Sequence, residues 1–198
     1  MKNKPSLAAW TAAVLALLLV HGAAAAERPT RLKAGVFDPP RAAPALSLQS
    51  SNGGALSLQA YRGQVVLLGF GFTSCPEVCP TTLAVLASAR KRLGAQAGQV
   101  QVVYVTVDPE RDDAERMRTY LTAFDPSFVG GTGTPAQLAA ARASYGVMAE
   151  RQAVGDGNFY AHSSSVYLID RKGRLRGMMP YGRTPEDYAH DVRVLLAE

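Results

Sequence analysis

Val65–Pro80 reads VVLLGFGFTSCPEVCP, an unbroken apolar segment that runs into a loop carrying both cysteines of the chain. A short continuous apolar run such as Val65–Phe70 is the pattern of a strand covered on both faces. Beyond the cysteines, Leu83, Leu86 and Leu93 recur at helical spacing and predict a helix over Pro80–Leu93. Val100–Val107, VQVVYVTV, repeats the buried-strand pattern. Strand, helix and strand in this order begin a layered α/β domain.

Working outward, Ala45–Gln49 and Ala55–Leu58 flank Asn52-Gly53-Gly54 and predict a hairpin. Asp113 is placed to cap a helix with Met117, Leu121 and Phe124 on one face, stopped by Asp125-Pro126. Gly130–Pro135, GGTGTP, reads as a turn into a third helix that directs Leu138, Ala141 and Tyr145 inward. The turn lacks the Gly-Lys-Ser/Thr ending of a phosphate-binding loop. Ser164–Ile169 and Arg174–Met179 predict a second hairpin around Asp170–Gly173, and Thr184-Pro185 opens a last helix burying Tyr188, Val192 and Leu195. The expected fold is α/β and thioredoxin-like, a central mixed sheet with flanking helices and an extra N-terminal hairpin.

Composition narrows the function. The chain has 198 residues, 47% hydrophobic and 19% charged, with a formal charge of +5. That is too apolar for disorder and too short for two full-sized domains. Its 21 basic and 16 acidic residues are interspersed, so nothing points to nucleic acid. Lys2 and Lys4 precede the apolar run Leu7–Val20 and then Ala23–Ala26, the layout of a secretory signal. The expected organisation is therefore a signal peptide or N-terminal membrane anchor over 1–26, an extended linker over the Pro-rich 27–44, and one domain over 45–198. Either form of the first segment puts the domain outside the cytoplasm, periplasmic or facing the periplasm, where cysteines meet oxidising conditions.

Cys75 and Cys79 sit where a strand's carboxyl end meets a helix N-terminus, the edge at which open α/β sheets place ligands. The helix dipole there favours thiolate, the form that attacks disulfides and binds metal. One helical turn separates the sulfurs, close enough for a disulfide or for chelating one ion. A purely structural disulfide closing so small a loop would stabilise by only about 2 kcal/mol. His190, on the last helix, is expected to face solvent. His162 precedes the strand Ser164–Ile169, which neighbours the cysteine-bearing strand in a thioredoxin-like sheet. Two thiolates and one imidazole suit copper and are possible for zinc. Asp108 ends the second buried strand on the same edge, either orienting a ligand or merely closing a turn. Met178-Met179 reads as packing, and Arg171, Lys172, Arg174 and Arg176 as a solvated basic hairpin able to steer an acidic partner or lipid surface.

Together, FGFTSCPEVCPTTL (Phe70–Leu83), VTVDPERD (Val105–Asp112), TGTPAQL (Thr132–Leu138) and HSSSVYLID (His162–Asp170) resemble the Sco/SenC family of copper-binding, thioredoxin-fold proteins of respiratory-oxidase assembly. The resemblance implies copper ligands at Cys75, Cys79 and His162, and the family's strand-end acid at Asp108. Ala161 stands where the family usually has an acidic residue, and Asp113 where it often has Thr. The function so implied is a monomeric copper metallochaperone, binding Cu(I) or Cu(II). It would help build the binuclear copper centre of a cytochrome c oxidase, with an extracytoplasmic domain of an oxidase subunit, and another copper carrier, as partners. The alternative is a thiol–disulfide oxidoreductase acting on the acceptor's cysteines, which needs Cys75 and Cys79 but not His162. A copper sensor and, more weakly, a peroxidase are further readings.

Overall fold

The computed structural model describes residues 31–154 and 157–198. The segment expected as a signal or anchor, 1–26, lies outside the described residues. Among those described, no helix is long and apolar enough to cross a membrane.

The strands are β1 (Gly35–Ala42), β2 (Leu48–Ser50), β3 (Ala55–Leu56), β4 (Val65–Gly71), β5 (Val100–Thr106), β6 (Val129–Thr132), β7 (Ala149–Val154), β8 (Gly157–His162), β9 (Val166–Ile169) and β10 (Arg174–Met179). The helices are α1 (Val78–Leu93), α2 (Ala114–Thr122), α3 (Pro135–Tyr145) and α4 (Pro185–Leu196). Eight strands form one sheet in the order β1-β10-β9-β4-β5-β6-β2-β3. β4, β5 and β6 run parallel, while β9 lies antiparallel to β4. The sheet is therefore mixed, with helices α1 and α2 bridging its parallel strands, and α4 packs on α1.

The elements follow from the sequence. Every residue of β4 is buried, which its uniform apolar run requires. α2 starts at Asp113, whose side chain accepts from the Arg116 N–H. α3 and α4 each begin with a capping box and a proline, at Thr134-Pro135 and Thr184-Pro185. The inward positions of α3 are Leu138, Ala141 and Tyr145, as its spacing demands. Met179 is fully buried, and Met178 is partly exposed.

Four expectations need correction. The supposed linker contributes β1, which pairs antiparallel with β10, so the sheet begins ahead of residue 45. What recruits it is Asp191 on α4, a fully buried carboxylate that accepts from the N–H groups of Lys33 (2.8 Å) and Ala34 (2.9 Å). Strand approach then depends on Gly177, where a Cβ would lie 2.8 Å from the Gly35 carbonyl oxygen. Second, GGTG is largely the strand β6. A Cβ at Gly130 would meet Met117 at 2.9 Å, and one at Gly131 would meet Leu56 at 2.7 Å. These glycines answer to close packing rather than to a turn. Third, His190 does not simply face solvent, because its Nδ1 bonds the Asp191 carboxylate at 2.9 Å. Fourth, the basic hairpin is largely paired within the fold, with Arg174 and Arg176 bridging Asp170 and Glu198.

Candidate metal centre

The carboxyl end of β4 delivers Phe72 and the loop Thr73–Glu77, and α1 begins at Val78 rather than Pro80. Cys79 therefore lies in the first helical turn and is completely buried, while Cys75 in the loop is 7% exposed. Both are free thiols. The Cys79 N–H donates to Cys75 Sγ at 3.4 Å. That bond satisfies one of the N–H groups a helix start leaves unpaired, a task Glu77 at the cap position does not perform with its side chain.

His162 arrives from the other end of the chain as the last residue of β8, part of the β7–β8 hairpin that the sequence patterns did not disclose. Its Nε2 lies 3.5 Å from Cys79 Sγ, and its Nδ1 lies 2.9 Å from the Ser163 carbonyl oxygen. A carbonyl can only accept, so Nδ1 carries the hydrogen and Nε2 presents its lone pair to the sulfur. Burial lowers the imidazole pKa and the Ser163 bond partly offsets this, which keeps the ring neutral. The ligand atoms of Cys75, Cys79 and His162 all lie within 4.8 Å of one another. Metal–sulfur bonds near 2.3 Å and metal–imidazole bonds near 2.0 Å place ligand atoms roughly 3.5–4 Å apart, so one ion needs only a small contraction.

The expected helix-dipole activation is overridden at Cys79. Burial pushes its thiol up to about 12, against hydrogen bonds from Tyr104 and the Phe72 backbone that pull it down. Its hydrogen therefore points to His162 Nε2 in the metal-free chain, and a metal must displace a proton to bind the sulfur.

Asp108 is 1% exposed and takes an ion pair from Arg111. The Arg111 guanidinium lies over the Phe72 ring, 5.7 Å from its centroid, and Phe72 meets the His162 ring edge-on at 5.8 Å. Asp108 thus reaches the imidazole through two intermediaries. The acid that grips the cysteine loop directly is Asp112, which the sequence reading did not single out. Fully buried, it accepts from the Thr73 N–H (2.9 Å), the Thr73 hydroxyl (2.6 Å) and the Thr106 hydroxyl (2.7 Å). Arg116 then closes over the loop, donating to Thr73 Oγ1 and Ser74 Oγ. The available signal was the last of the three acids in Asp108-Pro109-Glu110-Arg111-Asp112, one residue before the helix cap.

Known proteins resemble this chain in sequence and fold. The SCO1/SenC family profile matches residues 38–197, which include all three ligand candidates. The human protein "SCO2 homolog, mitochondrial" is 39% identical over 137 residues, covering 67% of this chain and 52% of that protein. The chain spans about half the length of the mammalian relatives it matches. The structure of Bradyrhizobium japonicum ScoI with copper bound is 36% identical with a TM-score of 0.72, covering 78% of this chain and 99% of the other. Arabidopsis thaliana ScoI with copper bound gives a TM-score of 0.73 at 26% identity, over 78% and 98% of the two chains. With nearly all of the sheet, the cysteine loop and the histidine strand inside the matched region, the chain belongs to the SCO1/SenC family.

Proposed function

We propose that this chain is a copper metallochaperone. Cys75 and Cys79 hold copper as thiolates, His162 completes the site through Nε2, and the cargo passes to the binuclear copper centre of a cytochrome c oxidase subunit. The observation that carries the reading is the convergence of two sulfurs and one imidazole nitrogen within 4.8 Å, from segments more than 80 residues apart. Soft thiolates select copper over hard cations, and copper is the ion bound in similar proteins of the same family. Three protein ligands leave a position for an incoming thiolate of the acceptor, so transfer proceeds by ligand exchange without free ion. Residues 1–26 act as export signal or anchor, and the domain works as a monomer on the periplasmic side. The partners are an extracytoplasmic copper-accepting domain and another carrier that supplies the metal.

Chelator-competition titration with Cu(I) under reducing conditions tests this. Wild type takes up one equivalent, and Cys75→Ser, Cys79→Ser and His162→Ala each lose it or bind at least tenfold more weakly. Equal affinity in His162→Ala removes the imidazole from the site. The neighbouring sulfurs also favour a second reading, thiol–disulfide exchange with the acceptor's cysteines. Oxidase copper content in cells carrying each variant separates the two. Full content with His162→Ala, but none with either serine variant, selects redox chemistry.

A further inference from the structure

Tyr104 stands in the middle of β5 among aliphatic residues and is 2% exposed. Its neighbour across the sheet is Gly69 on β4. A Cβ at Gly69 would lie 2.8 Å from Cδ2 and Cε2 of the tyrosine ring. One at Gly71, two residues on and on the same face, would lie 2.1 Å from the phenol oxygen and 2.7 Å from Cys79 Sγ. The two alternate glycines of Gly69-Phe70-Gly71 therefore form a floor for the ring, and its hydroxyl and the Cys79 sulfur converge above Gly71.

The hydroxyl and that sulfur thus face the same small space above Gly71, where the phenol interacts electrostatically with the thiol. Phenylalanine would fill the same cradle without burying a polar atom, and a buried hydroxyl is costly unless a partner meets it. Cys79 Sγ thus has two polar neighbours, His162 Nε2 at 3.5 Å and the Tyr104 hydroxyl across the space above Gly71.

We infer that Tyr104 is a positioning residue for the metal site, its O–H donating to Cys79 Sγ so that the sulfur is held toward His162 and its charge is drawn down once coordinated. The inference rests on the copper-binding reading. When a metal replaces the thiol hydrogen, the phenol hydrogen bond remains and strengthens, because its acceptor is now a thiolate. Hydrogen bonds to a coordinated sulfur tune a copper–thiolate centre. By stabilising the sulfur lone pairs, this one raises the energy of the sulfur-to-copper(II) charge-transfer transition.

The test compares wild type, Tyr104→Phe and Tyr120→Phe as full chains, checked for folding by near-UV circular dichroism. Tyr120 is the control: its buried hydroxyl has no hydrogen-bond partner among the described residues. In Tyr104→Phe the charge-transfer band moves to longer wavelength, and Cu(I) affinity falls about tenfold, the loss expected for a hydrogen bond to a charged acceptor. In Tyr120→Phe the band and affinity match wild type. A Tyr104→Phe spectrum and affinity identical to wild type overturn the inference, as does an equal shift in Tyr120→Phe. A wild-type chain that takes up no copper sinks the copper reading instead. The metal-free Cys75–Cys79 equilibrium with glutathione then decides for Tyr104. Loss of the donor makes the dithiol several-fold easier to oxidise, and an unchanged equilibrium overturns the role.

Discussion

Replacing Asp112 with alanine strips three donors of their acceptor at once: the Thr73 N–H, the Thr73 hydroxyl and the Thr106 hydroxyl. The backbone N–H loses a bond to a charged group, worth about 1.5–3 kcal/mol, and each hydroxyl loses about 1 kcal/mol. The hydroxyls can rotate toward other partners, and Arg116 loses an ion pair at 3.6 Å that is half in solvent and contributes little. The expected cost is about 4 kcal/mol, a fall in Tm on the order of 10 °C for a domain of this size. Urea denaturation of the metal-free chain measures it. Asp112→Asn, which keeps one acceptor but turns an amide N–H₂ toward the donors, is expected at about half that cost. Combining Asp112→Ala with Thr73→Val separates the local clamp from a general core effect, because the pair should be non-additive by at least about 1 kcal/mol. Thr73 lies two residues before Cys75, so the loosened loop also binds copper more weakly. An Asp112→Ala chain within about 0.5 kcal/mol of wild type, or strictly additive with Thr73→Val, refutes the clamp.

Asp191→Ala leaves the Lys33 and Ala34 N–H groups without an acceptor, and is expected to cost about 3 kcal/mol. Hydrogen exchange should show it first in β1 and β10. Gly71→Ala forces a methyl into the space of the Tyr104 hydroxyl and Cys79 Sγ; about 1–3 kcal/mol of stability and most copper binding should go, read by thermal melts and metal analysis. The pH profile of metal-free stability should have two flanks. His162 has a folded pKa below 6.5, so the unfolded chain binds more protons in acid and stability falls as pH drops below about 6.5. Cys79 has a folded pKa raised from 9.0 to about 12, so its contribution is complete below about pH 9 and is lost as pH rises toward 12. Denaturation across pH should show His162→Gln losing the acid flank and Cys79→Ser losing its share of the alkaline one. Copper affinity should rise tenfold per pH unit between 7 and 9 from the Cys79 proton alone.

What the sequence disclosed divides along physical lines. β4 and β5 were legible because burial on both faces demands an apolar residue at every position, and α3 because its cap, proline and inward triplet agree. β1 was hidden by its prolines, tolerable only because it is an edge strand. β6 was hidden by glycines that normally signal turns but here make room for Met117, Leu121 and Leu56. The β7–β8 hairpin lacks the alternation of a half-buried sheet. In the site, both cysteines and His162 stood out by residue type and placement. The protonation of Cys79 did not, since dipole reasoning sees the helix start but not the depth of burial. Asp112 and Tyr104 were obscured because their partners, Thr73 and Cys79, lie 39 and 25 positions away and meet them only in the fold. In retrospect, a lone tyrosine in an aliphatic strand facing Gly-Phe-Gly was the readable trace of the second.

X-ray absorption at the copper edge of the loaded full chain tests the three-ligand site most directly. Two sulfur scatterers and one imidazole nitrogen are expected in wild type, with the nitrogen lost in His162→Ala and one sulfur lost in each serine variant. A wild-type spectrum with a single sulfur, or a His162→Ala spectrum that keeps its imidazole signal, contradicts copper being held by Cys75, Cys79 and His162.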